Sequence, residues 1–160
     1  MDERSDSFDP WHISAELREL RRGPGTPSPT ILEEELEAMT ARDFGSSTRD
    51  ELRALARCCF HQLNDLQLFE RGMNEGTRPE ETFRGLLEAA LSKIEFILGA
   101  DDFARAISGP RRAWEIHWRR VREYEATLAP CTSCGRARTV NDRPRATACL
   151  LCDVPSRPLA

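Results

Sequence analysis

The chain has 160 residues, 39% hydrophobic and 31% charged, with a net charge of −4. That is enough apolar material for one ordinary domain with a small appendage, and it excludes wholesale disorder. Charge is uneven: residues 1–100 carry 20 acidic and 12 basic residues, or −8, and residues 101–160 carry 7 and 11, or +4. This excludes a protein that coats nucleic acid along its whole length, and it fits an anionic partner at one end.

Of the 23 basic residues only Lys93 is a lysine. Guanidinium groups make forked contacts to phosphate. The arginines occur throughout the chain, however, so their abundance alone does not identify a phosphate site. Met1 to Pro10 is acidic and polar, with neither the basic nor the apolar region of a secretory signal. No apolar stretch is long enough to cross a bilayer. The expectation is a soluble cytoplasmic protein with reduced thiols, in which spaced cysteines act as metal ligands rather than disulfides.

Asp9-Pro10 reads as a helix N-cap followed by proline in the first turn. Ile13, Leu17 and Leu20 then share a face. The stretch 23–29, GPGTPSP, is a linker by composition. A second helix is expected from Ser28-Pro29 to about Arg42, with Leu32, Leu36 and Met39 as its apolar stripe. Glu33, Glu34, Glu35 and Glu37 fill its opening turns, where the helix dipole favours negative charge. A third opens on the capping box Thr48 to Glu51 and carries Leu52, Ala56, Cys59, Leu63 and Leu66 at heptad spacing, stopping at Gly72. A fourth opens on a second box, Thr77 to Glu80, and carries Phe83, Leu87, Ala90, Ile94 and Ile97 as far as Gly99.

Asp101 and Asp102 begin a short helical turn to Ile107. Gly109-Pro110 is expected to break it, and a last helix to run from Pro110 to about Leu128, with Trp114, Trp118 or His117, Val121 and Leu128 along one side. Arg111, Arg112, Arg119, Arg120 and Arg122 project elsewhere on it. Cys58 and Cys59, with His61 nearby, lie on or beside the third helix's seam and read as core residues. The histidines at 12, 61 and 117 carry no ligand spacing.

The most specific signal is C-terminal: Cys131-Thr-Ser-Cys134, fourteen intervening residues, then Cys149-Leu-Leu-Cys152. Two residues between cysteines let one tight turn present both thiolates to one tetrahedral metal, so the expected cofactor is a single structural Zn²⁺, with iron as its rival. Gly135 can take positive φ and turn backbone N–H groups toward the sulfurs. Arg138 to Val140, a turn at Asn141 to Pro144, and Arg145 to Ala148 suggest strand, turn, strand, returning the second pair to the first. Arg136, Arg138, Arg143 and Arg145 surround this hairpin and are candidates for contact with nucleic acid or a partner, with Arg136 and Arg138 on one side of their strand.

With Gly135, the four cysteines make this segment resemble the zinc fingers of the DksA/TraR family, which also follow a long helix and begin CxxCG. The resemblance covers about twenty-five residues and implies docking on RNA polymerase rather than DNA. The segment departs from that family in its shorter inter-pair spacing and in Pro155 and Pro158, which prevent a helix after the last cysteine.

Pro130-Cys131-x-x-Cys134 also matches half of a zinc deaminase signature, but the His-x-Glu half is missing and two more cysteines fill the metal. There is no HExxH, no phosphate-binding glycine loop and no nucleophile elbow. The reading is therefore an all-α helical bundle with a small C-terminal zinc ribbon: residues 1–27 an N-terminal helix and linker, 28–129 the bundle, 130–160 the ribbon and tail. The expected function is non-enzymatic: an adaptor or regulator docking on a nucleic-acid-processing complex or its nucleic acid, with no membrane and no small-molecule substrate. The alternative is a structural or assembly subunit whose zinc only stabilises the tail.

Overall fold

A computed structural model describes residues 33–42, 44–73, 81–142 and 148–153. The expected first helix, the 23–29 linker, the start of the second helix, the Thr77 capping box, Arg143, Arg145 and the tail after Asp153 lie outside them. The described residues form helices and connecting segments, with no strand among them. The helices are α1 (Glu33–Ala41), α2 (Arg49–Phe69), α3 (Glu81–Leu98), α4 (Ala100–Ala126) and a single turn, α5 (Leu150–Asp153). No described helix is long and apolar enough to cross a membrane.

The capping box at α2 forms as its sequence requires. The Glu51 N–H donates to Thr48 Oγ1 at 3.2 Å and the Thr48 N–H to Glu51 Oε2 at 3.1 Å, satisfying two orphan donors. The seam that follows is buried: Leu52, Ala56 and Cys59 are almost fully enclosed, and Leu66 closes it. What the heptad pattern misses is that α2 is buried on further faces. Ala54, Cys58, His61, Gln62, Asn64 and Leu68 are buried as well. Short side chains at 54, 56, 58 and 59 let neighbours approach, and burial pushes the Cys59 thiol up to about 12, so it remains protonated.

Leu36 of α1 and Leu87, Ala90 and Ile94 of α3 join α2 in one core cluster. The expected stripe of α3 needs correction at its end. Ile97 is 40% exposed and Leu98 is buried instead. The step from Ile94 is four residues rather than three, because the seam must keep pace with 3.6 residues per turn.

A larger correction concerns Gly109-Pro110, which does not break the helix: α4 runs through Pro110 without interruption. Proline removes one backbone hydrogen bond and crowds the preceding turn, at about 3 kcal/mol relative to alanine. Opposing that is a continuous buried stripe across the proline, formed by Ile107, Pro110, Trp114, His117 and Val121. Trp114, His117 and Val121 would fall out of line with Ile107 if the helix broke at 110. Pro110→Ala should restore a donor and lose two buried methylenes worth about 1.5 kcal/mol. The expected result is a net gain of about 1–2 kcal/mol in denaturant-unfolding stability; a loss would mean that the proline bend is itself required.

One polar chain crosses the core. Trp114 Nε1–H donates to His61 Nδ1 at 3.0 Å, and His61 Nε2 lies 3.2 Å from Asp65 Oδ2. Since Nδ1 accepts, the proton of neutral His61 sits on Nε2 and points at Asp65. At the elbow between α3 and α4, Gly99 takes φ +88°. Arg49 donates to the Leu98 carbonyl and to Asp102 Oδ2, both at 2.7 Å, and Arg53 grips both Asp102 oxygens at 2.9 Å. Hydrogen bonds from Arg53 and then Arg49 hold the Asp102 carboxyl far below the usual carboxylate range. A lowered folded pKa contributes stability that is complete above the unfolded value, about 4, and lost as pH falls through the folded one. The stability difference between wild type and Asp102→Asn should accordingly be constant near neutrality and shrink on acidification below about pH 4, as followed by chemical unfolding at each pH.

The described residues group into two compact units. One holds residues 33–68 and 81–116, with the core just described. The other holds 69–73 and 117–153. The C-terminal unit thus takes in the ends of α2 and α4, more than the segment from residue 130 that the sequence marks off.

Candidate metal centre

The site begins where α4 ends. After Ala126 the chain turns, and the Thr127 and Leu128 N–H groups donate to Tyr124 and Glu125 carbonyls. Cys131 to Cys134 then form a tight knuckle. The Gly135 N–H donates to the Cys131 carbonyl and the Cys131 N–H to the Arg136 carbonyl, both at 2.8 Å. Gly135 takes φ +74°, as the spacing anticipates; a side chain there would face the left-handed penalty of about 1–2 kcal/mol. In the second pair Cys149 immediately precedes α5 and Cys152 lies in it, and the Cys152 N–H donates to the Cys149 carbonyl at 3.0 Å.

These two turns bring the four sulfurs of Cys131, Cys134, Cys149 and Cys152 within 4.8 Å of one another. The Cys134 and Cys149 sulfurs are 3.7 Å apart. Sulfurs at about 2.3 Å from a tetrahedral zinc lie about 3.8 Å apart, so the donor set fits such an ion. Cys131 and Cys149 are buried, Cys134 and Cys152 exposed.

The electrostatics have the same cause. The Cys149 N–H donates to Cys131 Sγ at 3.1 Å. That bond, outweighing desolvation and helped by the N–H groups of Cys134 and Ser133, brings the Cys131 thiol down to about 6. Crowding by the Cys149 and Cys134 thiols pushes Cys152 up to about 12. At Cys134 the Arg136 N–H pulls downward, but the Cys131 thiol, desolvation and Cys149 together raise it. Four thiolates cannot share so small a volume without a cation, and a divalent metal supplies the charge that lets them do so.

The residues between the pairs differ from expectation. No strand forms over 136–142; the chain is irregular and then turns. Its hydrogen bonds go to helix ends instead of a hairpin partner. Arg136 Nη2 donates to the Gly72 carbonyl at 2.6 Å. Thr139 Oγ1 donates to the Arg71 carbonyl at 3.3 Å, and Asn141 Nδ2 donates to the Phe69 and Arg71 carbonyls at 2.9 and 2.6 Å. The C-terminal carbonyls of α2 and its following turn, which an isolated helix would leave unsatisfied, are thereby capped by side chains from near the cysteines. The Val140 N–H donates to Glu125 Oε2 at 3.1 Å, and Glu125 accepts a fork from Arg71 with a shortest contact of 2.7 Å. A further bond joins the Thr139 N–H to Asp142.

Arg138, expected beside Arg136 on an exposed strand face, is buried and donates from Nε to the Ala129 carbonyl at 2.9 Å. Arg136 is half-buried on Gly72. Of the four hairpin arginines, these two are committed inside the fold; Arg143 and Arg145 lie outside the described residues. Arg119, Arg120 and Arg122 of α4 are exposed. Sequence reasoning did not find Thr139, Asn141, Glu125 or Arg71, since such residue types are ordinary in loops and on helix surfaces. In the sequence Gly72 marks only a helix stop.

Gly72 has a stricter role. Its φ is +85°, and a Cβ there would lie 2.6 Å from Thr139 Oγ1. Gly72→Ala should therefore cost at least about 1–2 kcal/mol from the backbone alone. It should also weaken metal retention against a competing chelator, because the capping segment must move. Unchanged retention would separate the cap from the metal centre. The chain matches no protein-family profile, no curated protein and no solved structure.

Proposed function

We propose that this chain is a non-catalytic, zinc-binding adaptor or regulatory protein that works in the cytoplasm. In this reading one zinc on Cys131, Cys134, Cys149 and Cys152 locks the end of the chain, and the protein docks on a larger protein complex. The observation that carries the reading is the convergence of four cysteine sulfurs within 4.8 Å. All four are thiols, so a tetrahedral ion would have no open position for water or substrate, as in structural zinc sites. The capping of the α2 end by Arg136, Thr139 and Asn141 gives such an ion something to stabilise.

The inward use of Arg136 and Arg138 favours a second reading, an assembly subunit whose zinc stabilises only the chain end. Phosphate contact, if the partner carries nucleic acid, then falls to the exposed Arg119, Arg120 and Arg122 rather than to Arg136 and Arg138.

Metal analysis of freshly purified protein should give about one zinc per chain, and Cys149→Ser should lower it sharply, as expected for a four-thiolate site. Protein without bound zinc would end the zinc reading, and iron in its place would revise only the ion. Capture of partners with and without nuclease then tests the docking. Capture that survives nuclease and changes little with salt supports a protein partner. Capture lost with nuclease, falling steeply with salt, identifies a nucleic-acid bridge instead.

A further inference from the structure

Away from the cysteines, a cleft of about 790 Å³ opens beside the elbow between α3 and α4, entirely within the unit of residues 33–68 and 81–116. Arg49, Arg53 and Arg57 stand one turn apart along α2 and line it as a row, and Arg105 of α4 lines it too. Asp101 and Asp102 are the carboxylates of the lining, so four guanidinium groups face two negative charges.

The four arginines are not equivalent. Arg49 and Arg53 are engaged by Asp102, and Arg53 also meets Asp50 at 2.6 Å from outside the lining. These bonds fix both side chains in position. Among the described residues Arg105 donates to the Asp101 carbonyl alone, through Nε at 3.4 Å. Arg57 is half-buried and has no carboxylate partner among the described residues. Its fork is therefore uncommitted among the described residues and available to the oxygens of an anion. The first residues of α4, Ala100 and Asp101, also line the cleft. A helix's opening N–H groups have no intrahelical acceptor, and they carry the positive end of its dipole.

We propose that this cleft binds a small phosphate-bearing anion, gripped by Arg57 and Arg105 beside the Asp102-fixed Arg53. The planar forks suit phosphate oxygens, and no aromatic side chain lines the cleft to stack a base, which suits a compact ligand over a nucleic-acid strand. The site is separate from the cysteine cluster and does not depend on the metal.

The probe is inorganic pyrophosphate, titrated calorimetrically into the full chain at low salt, with a short single-stranded RNA as the second arm. Pyrophosphate should bind, and Arg57→Ala and Arg105→Ala should each weaken it by about tenfold or more, as expected for a charge-assisted fork. Arg57→Lys should recover part of the loss, since charge returns without the fork. Arg111→Ala, an exposed change outside the cleft, should leave affinity unchanged. If the alanine variants unfold, Arg57→Lys and Arg105→Gln carry the comparison. The proposal is overturned if wild type does not bind pyrophosphate, if the variants bind as well as wild type, or if the RNA binds while pyrophosphate does not.

Discussion

The end of α2 sets the terms for the C-terminal third of the chain. An α-helix leaves its last carbonyls without partners, and each one kept from water must find a donor. Here the donors come from about seventy residues further on: Arg136 to Gly72, Thr139 to Arg71, and Asn141 to both Phe69 and Arg71. Gly72 must be a glycine for this arrangement, because its φ is positive and Thr139 stands against it. Glu125 completes it by accepting from Arg71 and from the Val140 amide together. The segment from 135 to 142 has no strand and little apolar surface of its own. Its fold is the set of bonds it makes to those helix ends, together with the turns that gather the four cysteines.

That arrangement gives a four-thiol centre a mechanical purpose. A short segment that lacks a core loses its conformational entropy for only a few hydrogen bonds, and each is worth only about 1 kcal/mol net. A metal tying Cys131 and Cys134 to Cys149 and Cys152 closes the loop that carries Arg136, Thr139 and Asn141. The ion would keep the donors beside the carbonyls they cap. This is a reason for a closed site that does not call on catalysis.

The arginine excess also has a structural part. Arg71 forks onto Glu125, Arg53 forks onto Asp102, Arg49 caps the α3 carbonyl at Leu98, Arg136 caps Gly72, and Arg138 holds Ala129. In Arg71, Arg53 and Arg49 one guanidinium serves several acceptors from one rigid plane, which a lysine cannot do. Arg57 and Arg105 stand apart from this pattern, since among the described residues the first has no carboxylate and the second one long carbonyl contact.

Much was legible in the sequence because it depends on local chemistry. The Thr48–Glu51 box, the buried positions Leu52, Ala56, Cys59, Leu87, Ala90 and Ile94, the stop at Gly99 and the convergence of two CxxC turns all follow from spacing and the backbone freedom of particular residues. Tertiary structure decided what spacing could not. Pro110 stays inside a helix because a buried stripe continues on both sides of it, and no local rule weighs burial ten residues away. Arg136 turns inward, and the described residues 136–142 form no strand, because the end of α2 offers carbonyls nearby in space. A lone arginine, threonine or asparagine in a loop reads the same in sequence whether it faces water or caps a helix; only the fold puts an acceptor in front of it.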